Sequence, residues 1–196
     1  MLIGNNKIFF SLLSILPISM VLGPSISLIN ILLIVFFYLF IFFKYKHYGF
    51  LFENNIIRLL FIIYIYLIFN SFISINFETG LNRNIGFIRL IFLFIAINYF
   101  FYVSKNNLNI LNIWTVFLSI FVCDVYFEKF SGTNIFGWGG DFGTRIVGFF
   151  KDEPIAGAYI NGFILLICGY LLLIFKNNKK LYFPLTLLFM VLLFSI

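Results

Sequence analysis

Long apolar runs, interrupted by short polar stretches, recur along the whole chain. Runs of roughly 17–25 apolar residues have the length of a helix that crosses a bilayer. Such runs, some slightly shorter, fall at 8–22, 25–43, 56–75, 85–103, 110–127 and 155–175, and a last one occupies 181–196. The pattern predicts an all-α fold, a polytopic transmembrane helix bundle of six complete helices plus the start of a seventh. Only Gly23 and Pro24 separate the first two runs, a turn-forming pair that predicts a tight helical hairpin. Lys7 ahead of an apolar run imitates a secretory signal, but a second full run follows at once with no polar domain between them, so an uncleaved signal anchor is the expectation. The last run reaches Ile196 without a flanking charge, aromatic anchor or polar tail. The residues 1–196 are therefore expected to form a single transmembrane domain, the N-terminal part of a longer protein.

Composition supports lipid as the solvent. Hydrophobic residues make up 63% of the chain and charged residues 10%, and the mean hydropathy is +1.10. A soluble domain of 196 residues has no core large enough to hide that much apolar surface. The net charge of +6 does not point to nucleic acid, because the basic residues sit in short stretches between the runs and form no amphipathic face. Cys123 and Cys168 both lie within apolar runs, where packing is the simplest role. With His47 the one histidine, no His-based metal centre is available, and no metal or other cofactor is expected.

The basic residues also carry orientation. One set of alternate segments holds Lys7, then Lys44, Lys46 and Arg58, then Lys105, then Lys176, Lys179 and Lys180; the other holds Arg83, Lys129, Arg145 and Lys151, with Arg89 inside a span. The positive-inside rule places the richer set, and the N-terminus with it, in the cytoplasm. The connections 76–84 and 129–154 are then expected on the outer side.

The 129–154 connection is the one long stretch between runs, and long loops in compact proteins tend to be functional or disordered. Trp138, Phe136, Phe142, Phe149 and Phe150 alternate there with Gly137, Gly139, Gly140 and Gly143, a mixture suited to lying along a membrane interface. A plain interfacial loop and a ligand-binding loop both fit. Arg145 offers a bidentate partner for phosphate; equally, it fits pairing with Asp141 or Asp152, or snorkelling toward headgroups. Asp152, Glu153 and Pro154 read as a helix start, with acidic residues at the cap and proline at the first helical position. Behind them, Ala158 and Gly162 form a small-residue face on which another helix can pack. Arg89, Asp124 and Glu128 lie at or near membrane depth, where ionisable groups are candidates for function; Asp124 and Glu128 share a helix face at i, i+4 near the outer end of their span, where a structural or interfacial role fits as well as a catalytic one. Arg83, Arg89 and Arg145 would together suit a pyrophosphate.

The stretch 144–162, TRIVGFFKDEPIAGAYING, resembles the arginine-containing segment of the O-antigen ligase and O-antigen polymerase superfamily, and LPISMVLGPSISLINILL at 16–33 is similar to the start of such proteins. The resemblance is specific over about twenty residues. It implies a multi-pass glycosyltransferase of the bacterial inner membrane, working at the periplasmic face on an undecaprenyl-pyrophosphate-linked glycan, with lipid A-core or a growing glycan as acceptor and membrane lipids around it. It also implies that 129–154 is a periplasmic loop, that Arg145 binds the pyrophosphate with Arg89 and Arg83 assisting, and that Trp138 and Asp141 belong to the part of the loop that meets glycan or interface. No metal and no nucleotide sugar is implied. The family's major periplasmic loop, with its further basic and histidine residues, has no counterpart in these residues, so catalysis by this stretch alone is not expected. A lipid-linked oligosaccharide flippase or other transporter, and a non-catalytic membrane scaffold, are the alternatives. A transporter predicts repeated halves and a polar path at the bilayer midplane, and the sequence shows neither.

Overall fold

The computed structural model describes residues 7–45, 54–75, 77–103, 107–139, 145–151, 153 and 155–175. Among them the regular structure is entirely helical: α1 Lys7–Ser14, α2 Leu16–Val21, α3 Pro24–Tyr45, α4 Asn55–Ile73, α5 Phe77–Gly86, α6 Ile88–Val103, α7 Asn107–Ser131 and α8 Ala156–Phe175. Four stretches are long and apolar enough to cross a membrane: Pro24–Lys44, Asn55–Ile73, Phe77–Tyr102 and Asn109–Ser131. At 1.5 Å per residue the shortest, 19 residues, is about 28 Å long, close to the ~30 Å hydrocarbon core of a bilayer. A fifth apolar stretch, Ala156–Tyr170, is shorter. The expected seventh run, 181–196, lies outside the described residues.

Two expectations change. The first run is not one helix, because the chain breaks at Ile15 into α1 and α2. Pro17 has no N–H to give to the carbonyl of Leu13, and its ring crowds that carbonyl. Ser14 adds to the break by donating its hydroxyl to the Phe10 carbonyl at 2.8 Å. At the far end Gly23, with φ of +124°, terminates α2, and Pro24 opens α3.

The second change is at 76–84, expected as a loop, where the chain instead forms α5. Phe77, Leu81 and Ile85 recur at the spacing of one helix face. Glu78 in the first turn and Arg83 in the last complement the helix dipole. A side-chain clamp then fixes α5 to α4: Asn84 Nδ2 donates to the Leu67 carbonyl at 2.9 Å and to Ser71 Oγ at 2.7 Å, and Phe77 meets Phe72 at 5.4 Å between ring centroids.

The helices fall into two compact units. The first comprises residues Met1–Leu16 and Pro24–Asn107. Its core forms where α3 faces α1 and α6. On α3 the buried positions Ile31, Ile34, Val35, Tyr38, Ile41 and Phe42 trace one helical stripe. Phe9 meets Phe100 at 5.4 Å and Tyr38 meets Tyr99 edge-on at 5.5 Å, and Asn30 Nδ2 reaches the Leu12 carbonyl at 3.3 Å. The opposite side of α3 is apolar too, with Leu32, Leu33, Phe36, Phe40 and Phe43 exposed. On α4 the exposed side chains include Ile62, Ile65, Phe69 and Phe72. A helix that is apolar on its exposed side belongs in lipid or against another apolar surface.

The second unit comprises Pro17–Gly23 and Leu108–Ile196. On α7 Trp114, Leu118, Phe121, Val122 and Val125 are buried, as are Tyr159, Ile160, Phe163, Ile167 and Tyr170 on α8. Trp114 meets Phe163 at 5.8 Å, Tyr170 donates its hydroxyl to Asn112 Oδ1, and Tyr159 donates to the Pro17 carbonyl at 2.9 Å.

Asn84→Ala should remove the clamp between α5 and α4 and cost about 1–2 kcal/mol for the two hydrogen bonds. Hydrogen exchange should accelerate across 77–86 and stay unchanged in α7; equal acceleration in both would show that Asn84 is not a local clamp.

Candidate functional site, a loop held by buried carboxylates

The loop that follows α7 is built on the last turns of that helix. Asp124 and Glu128, one helical turn apart, both point inward and are 0% and 4% exposed. Buried carboxylates are costly unless they accept hydrogen bonds, and these accept them from the loop backbone. Asp124 Oδ1 receives the Ile135 N–H at 3.0 Å. Glu128 uses both oxygens, Oε1 for the Val147 N–H at 2.9 Å and Oε2 for the Gly148 N–H at 2.6 Å.

Asn134, also buried, links the two limbs of the loop. Its Oδ1 accepts from the Phe136 N–H at 3.0 Å and the Trp138 N–H at 2.8 Å, an Asx turn. Its own N–H donates to the Trp138 carbonyl at 2.7 Å, and Nδ2 donates to the Gly148 carbonyl at 2.5 Å. The limbs 132–139 and 145–151 are thus fastened to one helix and to each other.

Two glycines make room for this knot. Gly139, at φ +111°, lies so close to Glu128 that a Cβ there would stand 2.7 Å from Oε1; Gly148, at φ +59°, would place a Cβ 3.1 Å from the Phe121 ring. Around the knot the aromatic rings interlock. Phe121 meets Phe149, Phe150 and Tyr159 at 5.3, 5.8 and 5.0 Å. Phe136 meets Phe149 at 5.5 Å and Trp138 at 5.1 Å while remaining 61% exposed. An aromatic path therefore runs from the helical core to the loop surface.

Arg145 is exposed and opens the second limb, two residues ahead of the Val147 N–H that Glu128 holds. Trp138 is half-buried, its backbone bound to Asn134. Asp141, Asp152 and Pro154 lie outside the described residues, and with them the expected acidic partners of Arg145 and most of the expected cap. Glu153 is exposed. Its N–H donates to the Phe150 carbonyl and its own carbonyl accepts from Ile155, and α8 begins at Ala156 with no acidic residue in its first turn. Arg83 and Arg89 are exposed in the first unit, Arg83 in the last turn of α5 and Arg89 in the first turn of α6.

Of the two roles open to Asp124 and Glu128, chemistry and structure, the geometry shows the structural one, as anchors for the loop backbone. Asn134 was missed. The signal was present as Asn134 followed by Gly137, the pattern of a turn with asparagine first and glycine fourth. The Gly137 N–H does donate to the Asn134 carbonyl, at 2.9 Å.

Fold and loop together define the class: among the described residues the regular structure is all helical, with four stretches long and apolar enough to cross a membrane. No protein family, curated protein or solved structure matches the chain.

The two carboxylates respond differently to neutralisation. Glu128→Gln puts an amide NH₂ against one of two backbone donors and should cost about 1–3 kcal/mol. Asp124 Oδ2 is buried and has no hydrogen-bond partner among the described residues. Asp124→Asn keeps an acceptor for Ile135 and removes a poorly solvated charge, so it should leave stability unchanged or raised. Thermal unfolding in detergent checks the pair; a larger loss for Asp124→Asn than for Glu128→Gln would contradict the anchoring scheme.

Proposed function

We propose that this protein binds a lipid-linked diphosphate donor through Arg145 and takes part in transferring its glycan, in the manner of an O-antigen ligase or polymerase. The observation that carries the reading is the mounting of Arg145: an exposed guanidinium on a backbone that is locked two residues later by a buried glutamate. A backbone fixed close to the cation before the ligand arrives lowers the ordering cost of binding, and the planar fork matches two phosphate oxygens. Directed at a leaving diphosphate, it stabilises the charge that develops there.

The resemblance of 144–162 to the arginine segment of that superfamily supplies the donor class, an undecaprenyl-pyrophosphate-linked glycan. Lipid A-core or a growing glycan is the acceptor it implies. In this reading the protein sits in a bacterial inner membrane with the N-terminus in the cytoplasm and 129–154 in the periplasm, as the distribution of basic residues favours. Exposed Phe136 and half-buried Trp138 then offer apolar rings to sugar or lipid at the interface.

Membranes carrying the protein should bind undecaprenyl diphosphate, and Arg145→Ala should weaken that binding by about tenfold or more, the value of a charge-assisted bidentate contact. Arg145→Lys should recover only part of it, since an ammonium lacks the fork. Arg83→Ala and Arg89→Ala enter the same measurement separately. Donor binding and glycan transfer at parent levels in Arg145→Ala, at equal expression, would sink the reading.

A further inference from the structure

The chain does not move away from α7 where that helix ends. Gly132, at φ +84°, donates its N–H to the Glu128 carbonyl at 2.8 Å and ends the helix, and the first limb of the loop then turns back. Asp124, which holds the Ile135 N–H, stands seven residues before Ser131, about 10 Å back along the axis at 1.5 Å per residue. The second limb returns as well, since Gly148 lies beside Phe121 and Val125 and both Phe149 and Phe150 meet the Phe121 ring. Meanwhile α7 presents an apolar stripe to the outside: Ile113, Val116, Ile120, Phe127 and Phe130 are exposed at i, i+3, i+7, i+14 and i+17. Phe130, 86% exposed, carries the stripe into the last turn.

We propose that the segment 132–139 is a re-entrant element, seated in the leaflet at the end of α7 with Ile135 and Phe136 against the acyl chains. Continuity supports lipid as the occupant. The stripe on α7 runs through the candidate span Asn109–Ser131 into its last turn, and exposed Lys129 in that turn is placed to snorkel to the headgroups. Ile135, at the level of Asp124, is then below the headgroups, and its side chain is 64% exposed. The backbone supports it as well. The N–H groups of Asn134, Ile135, Phe136, Gly137 and Trp138 all have acceptors inside the protein, which irregular backbone needs where no water can supply a partner. The segment reads GTNIFGWG, without an ionisable side chain. The inference rests on α7 crossing the bilayer and is independent of the donor assigned to Arg145.

The test uses the full chain in lipid nanodiscs, with Cys123→Ser and Cys168→Ser as background and a nitroxide label on one new cysteine at a time. Ile135→Cys and Phe136→Cys report on the segment; Ile120→Cys, Phe130→Cys and Thr133→Cys are the references. All five side chains are exposed, so a label displaces no buried group. Collisions are measured with oxygen, which partitions into lipid, and with a water-soluble nickel chelate. Labels at Ile135 and Phe136 should favour oxygen over nickel, as at Ile120, and the Ile135 label should lie deeper than the Phe130 label by roughly 5 Å or more. Thr133 should be the most accessible to nickel. Ready access of nickel to Ile135 and Phe136 while Ile120 stays protected would put the segment in water and overturn the proposal. Nickel access at Ile120 too would remove its premise, that α7 lies in lipid, and overturn it there. Shielding of Ile135 and Phe136 from both reagents would mean that protein covers them, a second copy or another part of the chain, and would overturn it as well.

Discussion

In an apolar surrounding every backbone N–H and C=O must find a partner inside the protein, and the architecture follows from that constraint. The helices meet it within themselves. The loop after α7 cannot, since its limbs run irregularly against the helical core with Val147, Gly148 and Asn134 buried. Glu128, Asp124 and Asn134 supply the missing partners, which is why such polar side chains are found inside so apolar a chain. Each cost offsets another: the carboxylates are buried at the expense of hydration, and the backbone N–H groups they receive replace it.

The knot also explains the glycines and the aromatic rings beside it. Gly139 and Gly148 lie where any side chain would displace Glu128 or Phe121, so the backbone can approach the helix closely enough to be bound. Once it is bound, Phe149 and Phe150 come to rest on Phe121 and Tyr159, and the apolar contact reinforces the polar one. The first unit is held differently. Among its described residues Asn30 reaches across to α1 and Asn84 across to α4, beside ring contacts such as Tyr38 with Tyr99. Most of α4 is left facing outward.

Several elements were legible because one period dominates them. The long apolar runs gave α3, α4, α6, α7 and α8 nearly as expected, since twenty consecutive apolar residues admit few alternatives to a helix. The exceptions have local causes. Pro17 acts within one turn and divides a run that hydropathy alone joins. At 77–86 the polar residues Asn82, Asn84 and Gly80 suggest a loop, and the helix is sustained there by the Asn84 clamp on a neighbour that the sequence does not identify. The candidate site was legible to the same degree. Arg145 and the aromatic-glycine mixture stood out, but nothing in the spacing told which buried groups would hold them.

What the sequence determined by itself is the material: long apolar helices, a polar interlude rich in glycine and aromatic residues, and an uneven distribution of lysine and arginine. These follow from composition and from interactions between residues a few positions apart, which a linear reading captures. Tertiary structure decided the role of the carboxylates. Glu128 meets the Val147 and Gly148 N–H groups nineteen and twenty residues later, and Asn134 meets the Gly148 carbonyl fourteen later. Contacts over such separations arise only when the chain folds back on itself, and no periodicity records which acceptor a buried N–H will find.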